Sequence, residues 1–320
     1  MGDIKAFAWN CGGLRRNTSS TLSKVMFFEK GFVNFDLFFF LETHHKDEHD
    51  IPNELNRYRD THHIVHSETN TDDTHTGIIG LISKRFNIDE TKQIMQGRIL
   101  GLKITDTTTT DTYCISVVYL PTNQNLDKEI MLDIVHKLRN TDDDGNDNYM
   151  ILGDFNFIDH PTDKKHGLSQ KDKQICKIWV PFLEELDMVD PFREQNPNKK
   201  VWSFRGTGVA GNSRIDRIYV KAATLKNFTN LKYIHTPFHG HKVFSFTIKN
   251  QGEWGKSYYK LNTSLFEDEE YDKIVDSTIL EVNGIGNVSN RDKWEIFLMT
   301  MKTKSISYST KRNAVKKSEK

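Results

Sequence analysis

Several apolar stretches of this chain end in a single acidic or amide residue. Asn10, Glu42 and Asp154 each stand at or just after such a stretch, and Asn156 lies two positions beyond Asp154. A carboxylate or amide at the end of a buried strand must find polar partners or face water, and strand ends are where sheets build sites. One isolated Asn or Asp in such a place usually caps a turn. Several together favour one shared polar pocket.

Carboxylates in such a pocket could hold a metal ion. The hard carboxylate oxygens of Glu42 suit Mg²⁺, which takes one or two protein carboxylates and keeps its waters. The alternative for Glu42 is a salt bridge to a nearby Lys or Arg. Asp154 and Asn156 alternate along the chain, so on extended backbone both side chains would point to one side and could converge on one phosphate.

Histidines are a second group that could take part in chemistry. Histidine changes protonation near neutral pH, and a carboxylate can hold its ring in position. The chain has 13 histidines, and an arbitrary one of them is more often a surface residue. His44 and His45 follow Glu42 closely but show no ordered zinc-ligand spacing.

A mixed set of strands and helices must position these residues. Short apolar or alternating runs predict strands over residues 4–9, 37–41, 77–82, 99–104, 113–119, 149–152, 217–220 and 243–248. Longer patterns with apolar residues on one face predict helices over residues 21–30, 126–138 and 172–188. Two turn-rich segments, 105–112 and 141–148, are predicted to be solvated loops. The order of elements predicts an α/β domain.

The character of the sequence changes near residue 250. Strand periodicity disappears there, residues 265–280 and 292–301 look helical, and a lysine-rich tail follows. We therefore predict one domain over residues 1–249 and a helical basic tail over residues 250–320.

Composition limits the class of function. Lys plus Arg and Asp plus Glu both total 44, so the formal net charge is +0 and any nucleic acid must bind local basic patches. Three scattered cysteines exclude a disulfide framework and a paired-cysteine metal site, and they indicate a reducing, intracellular setting. The N-terminus lacks a secretion signal and the longest apolar run, 37–41, is too short to cross a bilayer. We expect a soluble protein without a membrane partner.

Six short motifs occur in order along the chain. They are W-N-C-G-G-L (9–14), L-E-T (41–43), V-Y-L-P-T (118–122), G-D-F-N (153–156), S-R-I-D-R (213–217) and G-H-K (240–242). This ordered set resembles the exonuclease–endonuclease–phosphatase superfamily, which includes DNase I and the apurinic endonucleases. The resemblance implies a four-layered α/β/β/α sandwich of two mixed β-sheets flanked by helices.

Within that superfamily, the N-C-G-G-L and S-R-I-D-R segments most resemble the endonuclease domain of non-LTR (LINE-type) retrotransposon polyproteins. Residues 255–265 and the acidic stretch 267–271 resemble the segment that joins such a nuclease to its reverse transcriptase. The resemblance implies an enzyme that nicks one strand of duplex DNA and thereby primes retrotransposon integration. It also implies a reverse transcriptase domain of the same polyprotein as partner, synthesis in the cytoplasm and action in the nucleus.

The resemblance further assigns the metal and the DNA contacts. Glu42, supported by Asn10, would hold Mg²⁺, with Mn²⁺ as a possible substitute. Tyr119 would contact a phosphate, although it could instead be an ordinary amphipathic tyrosine at a strand end. Cationic loops around the site would bind double-stranded DNA, and the candidates by sequence position are Lys164, Lys165, Arg205, Arg214 and Arg217. Each of these could also be solvated surface charge.

The remaining roles concern the reacting groups. By resemblance, Asp154 would orient the water or handle a proton, Asn156 would donate a hydrogen bond to a phosphate oxygen, and Asp216 would orient His241.

One departure matters, because the family usually has Ser-Asp-His where this chain has H-G-H at 239–241. The missing carboxylate at Gly240 predicts impaired catalysis or rearranged surroundings of the site. Two alternatives are another hydrolase of the same fold, acting on RNA or a small phosphodiester, and a noncatalytic DNA-binding module.

Overall fold

The structure is a computed structural model that describes residues 2–318, except 15–17, 33, 70–72, 123–124, 142–145, 166, 207–210, 239, 251–264, 266–267 and 287. The chain divides into two compact units, Met1–Gln251 and Gly252–Lys320. Among the described residues, none of the helices has the length and hydrophobicity that a membrane crossing requires.

The described part of the first unit is built mainly from strands. They are β1 (Ile4–Asn10), β2 (Leu37–Leu41), β3 (His62–Ser67), β4 (Ile78–Ser83), β5 (Phe86–Met95), β6 (Ile99–Asp106), β7 (Thr112–Tyr119), β8 (Tyr149–Asp154), β9 (Met188–Val189), β10 (Phe204–Arg205), β11 (Asn212–Ser213), β12 (Asp216–Lys221), β13 (Phe228–Ile234) and β14 (Val243–Ile248). Its helices are α1 (Ser19–Gly31), α2 (Lys128–Arg139), α3 (Gln170–Glu185) and α4 (Pro191–Gln195). All eight predicted strands and all three predicted helices correspond to elements of this set.

Twelve of these strands form two six-stranded sheets, in the orders β13-β14-β1-β2-β4-β3 and β5-β6-β7-β8-β12-β9. In the first sheet β1 and β2 are parallel, and in the second β7 and β8 are parallel. The remaining neighbours within these sheets pair antiparallel. Both sheets are therefore mixed. Strands β10 and β11 form a separate two-stranded ribbon.

The two large sheets pack face to face with helices on their outer sides. Inward-facing residues of both sheets share one buried cluster, which includes Ala6, Phe39, Leu41, Leu102, Val117 and Leu152. Helix α1 packs on the outer face of the first sheet through Val25 and Phe28. Helices α2 and α3 cover the second sheet through apolar residues such as Ile134 and Trp179. The predicted four-layered α/β/β/α sandwich is confirmed.

Helix α3 differs from its prediction at both ends. It begins at Gln170 because Ser169 and Asp172 form a capping box, in which each side chain binds the other residue's backbone N–H. It ends at Glu185, whereas the prediction continued to residue 188. Met188 instead lies in β9 and pairs with Lys221 of β12. Part of the predicted loop 141–148 lies outside the described residues.

The second unit contains two helices, α5 (Glu269–Asn283) and α6 (Asn290–Ser318). They pack through the buried Tyr271, whose hydroxyl lies 2.5 Å from Ser305 Oγ. Both predicted tail helices exist, but α5 begins later than residue 265 and α6 continues well beyond residue 301. Most of the segment that resembles a connection to a reverse transcriptase, residues 255–264, lies outside the described residues.

Candidate active site

Strand pairing brings the predicted polar residues to one end of the sandwich. Because β1 and β2 are parallel and Asn10 pairs with Leu41, Asn10 and Glu42 emerge at the same sheet edge. In the second sheet Tyr119 pairs with Asp154 across the parallel β7 and β8. Asp216 lies opposite Asp154 on the antiparallel β12. The site is therefore assembled from strand ends of both sheets.

Asn10 connects the two halves of this site. Its Nδ2 donates one hydrogen bond to Glu42 Oε2 and one to Asp154 Oδ2, both at 2.9 Å. Its Oδ1 accepts a hydrogen bond from the backbone N–H of Gly12 at 3.1 Å. Asn10 is buried, and each of its polar atoms is used. The residue thus fixes the spacing between a carboxylate of the first sheet and a carboxylate of the second.

His241 lies between two buried carboxylates. Its Nδ1 is 3.1 Å from Asp216 Oδ2, and its Nε2 is 3.8 Å from Asp154 Oδ2. Burial and the charge of Asp216 raise the pKa of Asp154 to about 7, against the opposing effect of His241. Burial disfavours the imidazolium of His241, but Asp216 and Asp154 outweigh this and raise its pKa to about 9. The imidazolium is therefore the favoured form of His241 at neutral pH.

Glu42 presents an ionised carboxylate beside this cluster. Burial favours its protonated form, but the neighbouring His44 imidazole, the hydrogen bond from Asn10 and the nearby Tyr119 hydroxyl outweigh burial and hold its pKa below the usual value. Burial, Glu42 and Asp154 raise the pKa of the Tyr119 hydroxyl, so it stays protonated and can donate a hydrogen bond. The predicted interaction of Tyr119 with a phosphate remains a prediction.

The donor set fits a divalent metal ion. Glu42 is ionised, its side chain is 25% exposed, and Asn10 binds only one of its two carboxylate oxygens. Asp154, Asp216 and His241 also offer ligand atoms that lie within 4.8 Å of one another. Oxygen donors with negative charge suit Mg²⁺ and Mn²⁺.

Asn156 is close to Asp154, but not for the reason predicted. Its φ is 54°, so the backbone is left-handed and the argument from alternation on an extended strand is wrong. Its backbone N–H donates to Asp154 Oδ1 at 2.9 Å, and its Nδ2 donates to the Leu120 carbonyl at 2.8 Å. Asn156 therefore fixes the orientation of Asp154, and the second N–H of its amide remains for the predicted contact with a phosphate oxygen.

The prediction that Arg214 and Arg217 contact DNA is wrong, because both side chains are fully buried. Arg214 pairs with Asp163 at 2.7 Å and with Asp190 at 2.5 Å. The Arg217 guanidinium lies over the rings of Phe155 and Phe157 and donates to the Phe157 carbonyl. Both arginines satisfy buried polar groups of the core, since a buried charge must be paired.

The other three DNA-binding candidates keep their solvent-facing positions. Lys165 and Arg205 are exposed and Lys164 is partly exposed. The backbone of Lys164 forms an isolated β-bridge with Ser213. Arg205 lies in β10, whose other residue, Phe204, forms an isolated β-bridge with His241. Their contact with DNA remains a prediction.

The structure gives a steric reason for glycine at position 240. A Cβ there would lie 2.5 Å from the Arg205 carbonyl oxygen and 2.8 Å from Phe204 Cε2. The Arg205 N–H donates to the Gly240 carbonyl at 2.8 Å, and the Phe204 ring centroid is 4.6 Å from that of His241. Strand β10 thus occupies the space where a side chain at 240 would begin. The effect of glycine at this position on catalysis stays a prediction.

Three residues near the site were not assigned a role from the sequence. The Lys24 ammonium is buried and donates to the carbonyls of Gly12 and Gly13 at 2.9 and 2.8 Å, so it fixes the loop that follows Asn10. Its signal in the sequence was a lysine on the apolar face of α1. Phe204 covers His241 and had no signal, because its partner is remote in sequence. His44 Nε2 lies 3.4 Å from Glu42 Oε1.

Comparison with known proteins supports the same fold and family. Residues 7–239 match the endonuclease/exonuclease/phosphatase family. The Transposon TX1 uncharacterized 149 kDa protein of Xenopus laevis is 26% identical over 210 residues, which make up 64% of this chain and 16% of that protein. The chain therefore corresponds to a small part of that relative's length.

Three solved structures have the same fold at low sequence identity. The AP endonuclease from Leishmania major has a TM-score of 0.63 and 14% identity, over 77% of this chain and 88% of its own. The 3'-5' exonuclease from Neisseria meningitidis has a TM-score of 0.58 and 16% identity, over 77% of this chain and 100% of its own. The endonuclease domain of TRAS1, a telomere-specific non-LTR retrotransposon, has a TM-score of 0.57 and 13% identity, over 78% of this chain and 100% of its own. With the family match extending over most of the first unit, the chain belongs to the endonuclease/exonuclease/phosphatase family.

Proposed function

We propose that this chain is a metal-dependent endonuclease that hydrolyses a phosphodiester bond in one strand of duplex DNA. The observation that carries the proposal is that Asn10 Nδ2 donates hydrogen bonds of 2.9 Å to both Glu42 Oε2 and Asp154 Oδ2. Beside it stands the His241–Asp216 pair. Metal-binding, water-orienting and charge-stabilising groups thus meet at one point, as phosphodiester hydrolysis requires.

The protonation states of Asp154 and His241 give these residues different roles. Asp154, with a pKa near neutrality, orients the attacking water and accepts its proton. His241 stays protonated because of Asp216 and Asp154, and it stabilises the negative charge on the phosphate. Asp216 holds the ring through Nδ1. Tyr119 and Asn156 donate hydrogen bonds to phosphate oxygens.

The metal belongs with Glu42, supported by Asn10. A divalent ion, Mg²⁺ or its substitute Mn²⁺, supplies polarisation of the scissile phosphate and of the leaving oxygen when it is bound. The chain's own contribution is an ionised Glu42, whose geometry Asn10 fixes through Oε2.

Duplex DNA is the proposed substrate, bound through its phosphates by Lys164, Lys165 and Arg205. Because the net charge is +0, binding depends on these local cations and weakens as salt rises. Similarity to a transposon protein of 149 kDa and to the TRAS1 endonuclease domain supports a role in retrotransposon integration. In that role the nick primes a reverse transcriptase domain of the same polyprotein, and the chain acts in the nucleus.

Nicking of supercoiled plasmid tests the proposal. With Mg²⁺ the parent chain should convert supercoiled plasmid to open circles, EDTA should stop it, and Asp154→Ala should abolish it. The exposed Asp133 on α2 provides the matched control, and Asp133→Ala should nick like the parent. Equal background nicking by the parent and Asp154→Ala, with and without EDTA, would instead identify a noncatalytic DNA-binding module.

Competing substrates at fixed Mg²⁺ test the choice of DNA. Duplex DNA without an abasic site should be cut in preference to single-stranded RNA and to a small phosphodiester. Faster hydrolysis of RNA or of the small phosphodiester would assign the chain to another hydrolase of this fold. Mapping the cut positions would then define the target preference.

A further inference from the structure

The segment that follows β2 holds two side chains together through an unusual backbone. Glu42 and His44 both have left-handed φ values, 56° and 60°. Non-glycine residues in this region are strained, and such strain clusters at functional sites. Backbone hydrogen bonds hold the segment from both sides, because Gly13 N–H donates to the Glu42 carbonyl and His44 N–H donates to the Thr76 carbonyl. The conformation is therefore imposed by the fold.

The result is a nitrogen and an oxygen donor at close range. His44 Nε2 lies 3.4 Å from Glu42 Oε1. The His44 side chain is only 12% exposed, and its Nε2 has no hydrogen-bond partner among the residues that the structure describes. A buried imidazole nitrogen without a partner calls for a ligand. The separation of 3.4 Å is short enough for both atoms to bind one metal ion.

The His44 ring is held in this position by its other neighbours. Gly13 leaves room for it, since a Cβ at Gly13 would lie 3.0 Å from His44 Nδ1. The ring of His75 meets it edge to face at 4.9 Å. The adjacent His45 differs, because its Nδ1 pairs with Thr43 Oγ1 at 2.7 Å and burial lowers its pKa to about 4. His45 is a neutral core residue, whereas His44 faces the metal-binding carboxylate.

We propose that His44 and Glu42 together bind the metal ion, as a carboxylate–imidazole pair that favours first-row transition ions such as Mn²⁺ over Mg²⁺. Imidazole nitrogen binds transition ions better than it binds Mg²⁺, which prefers oxygen ligands alone. The inference rests on the metal site of the proposed function and adds a second protein ligand and a metal preference. It concerns binding in the absence of DNA, so it can fail or hold independently of nicking.

Electron paramagnetic resonance of Mn²⁺ bound to the full chain, without DNA, tests the pair directly. Spin-echo spectra of the parent should show coupling between Mn²⁺ and a histidine nitrogen, and His44→Gln should remove it. His241→Gln should leave that coupling in place. Absence of nitrogen coupling in the parent, or its loss in His241→Gln instead of His44→Gln, would overturn the proposal.

Competition between Mn²⁺ and Mg²⁺ gives a second, quantitative readout. Replacing His44 by Gln should weaken Mn²⁺ binding by about tenfold or more while leaving Mg²⁺ affinity nearly unchanged, so that the ratio of the two affinities falls. Glu42→Gln should weaken both ions. The exposed His136 on α2 is the matched control for adventitious binding by a surface histidine, and His136→Gln should change neither. An unchanged affinity ratio in a folded His44→Gln variant would show that His44 only pairs with Glu42.

Discussion

Replacing Gly240 by alanine or aspartate should lower the rate of DNA nicking, although aspartate is the residue that the family usually has there. A Cβ at this position would lie 2.5 Å from the Arg205 carbonyl oxygen, whereas carbon–oxygen contacts are normally about 3.3 Å or longer. The overlap is with backbone, which cannot rotate away as a flexible side chain could. Strand β10 must therefore move, or the segment around Gly240 must.

The cost of that movement can be worked out from the contacts it breaks. Overpacking of a tight site costs about 1–3 kcal/mol, and loss of the hydrogen bond from Arg205 N–H to the Gly240 carbonyl costs about 1 kcal/mol more. The sum, about 2–4 kcal/mol, corresponds to a fall in Tm of roughly 4–16 °C for a domain of this size. Moving β10 also removes Phe204 from His241, whose ring centroid lies 4.6 Å away. Nicking should fall because the His241–Asp216 pair becomes exposed to water.

The assay compares Tm and plasmid nicking for the parent, Gly240→Ala and Gly240→Asp. The matched control is Gly31→Ala, because a Cβ at Gly31 would meet nothing within 4 Å, and it should match the parent in nicking. Aspartate carries the same Cβ with a carboxylate added, so its loss should be at least that of alanine. If Gly240→Asp nicked faster than the parent at an unchanged Tm, the steric argument would be wrong. Glycine at this position would then mark the loss of a catalytic carboxylate.

Three further outcomes are expected from the same structure. Asp216 helps to raise the pKa of His241 to about 9, so nicking by the parent should be lost as the pH rises through that value. Asp216→Asn should move this loss to lower pH by about one unit or more. An unmoved pH profile would exclude His241 as the protonated group. Arg214→Met removes a partner that Asp163 and Asp190 share, while Asp163 keeps its ion pair with Arg193. The variant should lose about 3 kcal/mol in urea unfolding, the lower end of the range for a broken buried ion pair, and a loss much below this would mean that the pairing is weak. DNA binding measured in titrated NaCl tests the basic residues: Arg205→Ala and Lys165→Ala should each reduce the slope of log affinity against log salt by about one. A slope unchanged in both variants would show that these residues do not contact DNA.

The interior strands of both sheets could be read from the sequence, and the edge strands could not. Strands β2, β4 and β8 are almost entirely buried, so each appears as a continuous apolar run. The three longer strands that were missed, β3, β5 and β13, lie at sheet edges. An edge strand has fewer buried positions, and β5 is mostly exposed. Its pairing comes from tertiary contact with β6, which a local pattern cannot reveal.

The same distinction separates the correct from the incorrect site residues. The residues at strand ends could be located because a polar group after a buried strand is visible in the sequence. Arg214 and Arg217 stand in the same stretch as Asp216, yet their charges point into the core, toward Asp163, Asp190 and the aromatic rings around Phe157. Sequence position close to a site therefore does not distinguish a cation that faces solvent from one that is paired inside.

Asn10 shows why the geometry of the site required the folded chain. Its two partners, Glu42 and Asp154, are separated from it by 32 and 144 residues, and they belong to different sheets. A one-residue shift in register would turn the Asn10 side chain away from both. Because the neutral amide donates to two carboxylates at once, it lowers their repulsion without adding a charge that would compete with the metal. Asn10 thus acts by positioning charges, and its function follows from how the two sheets are packed.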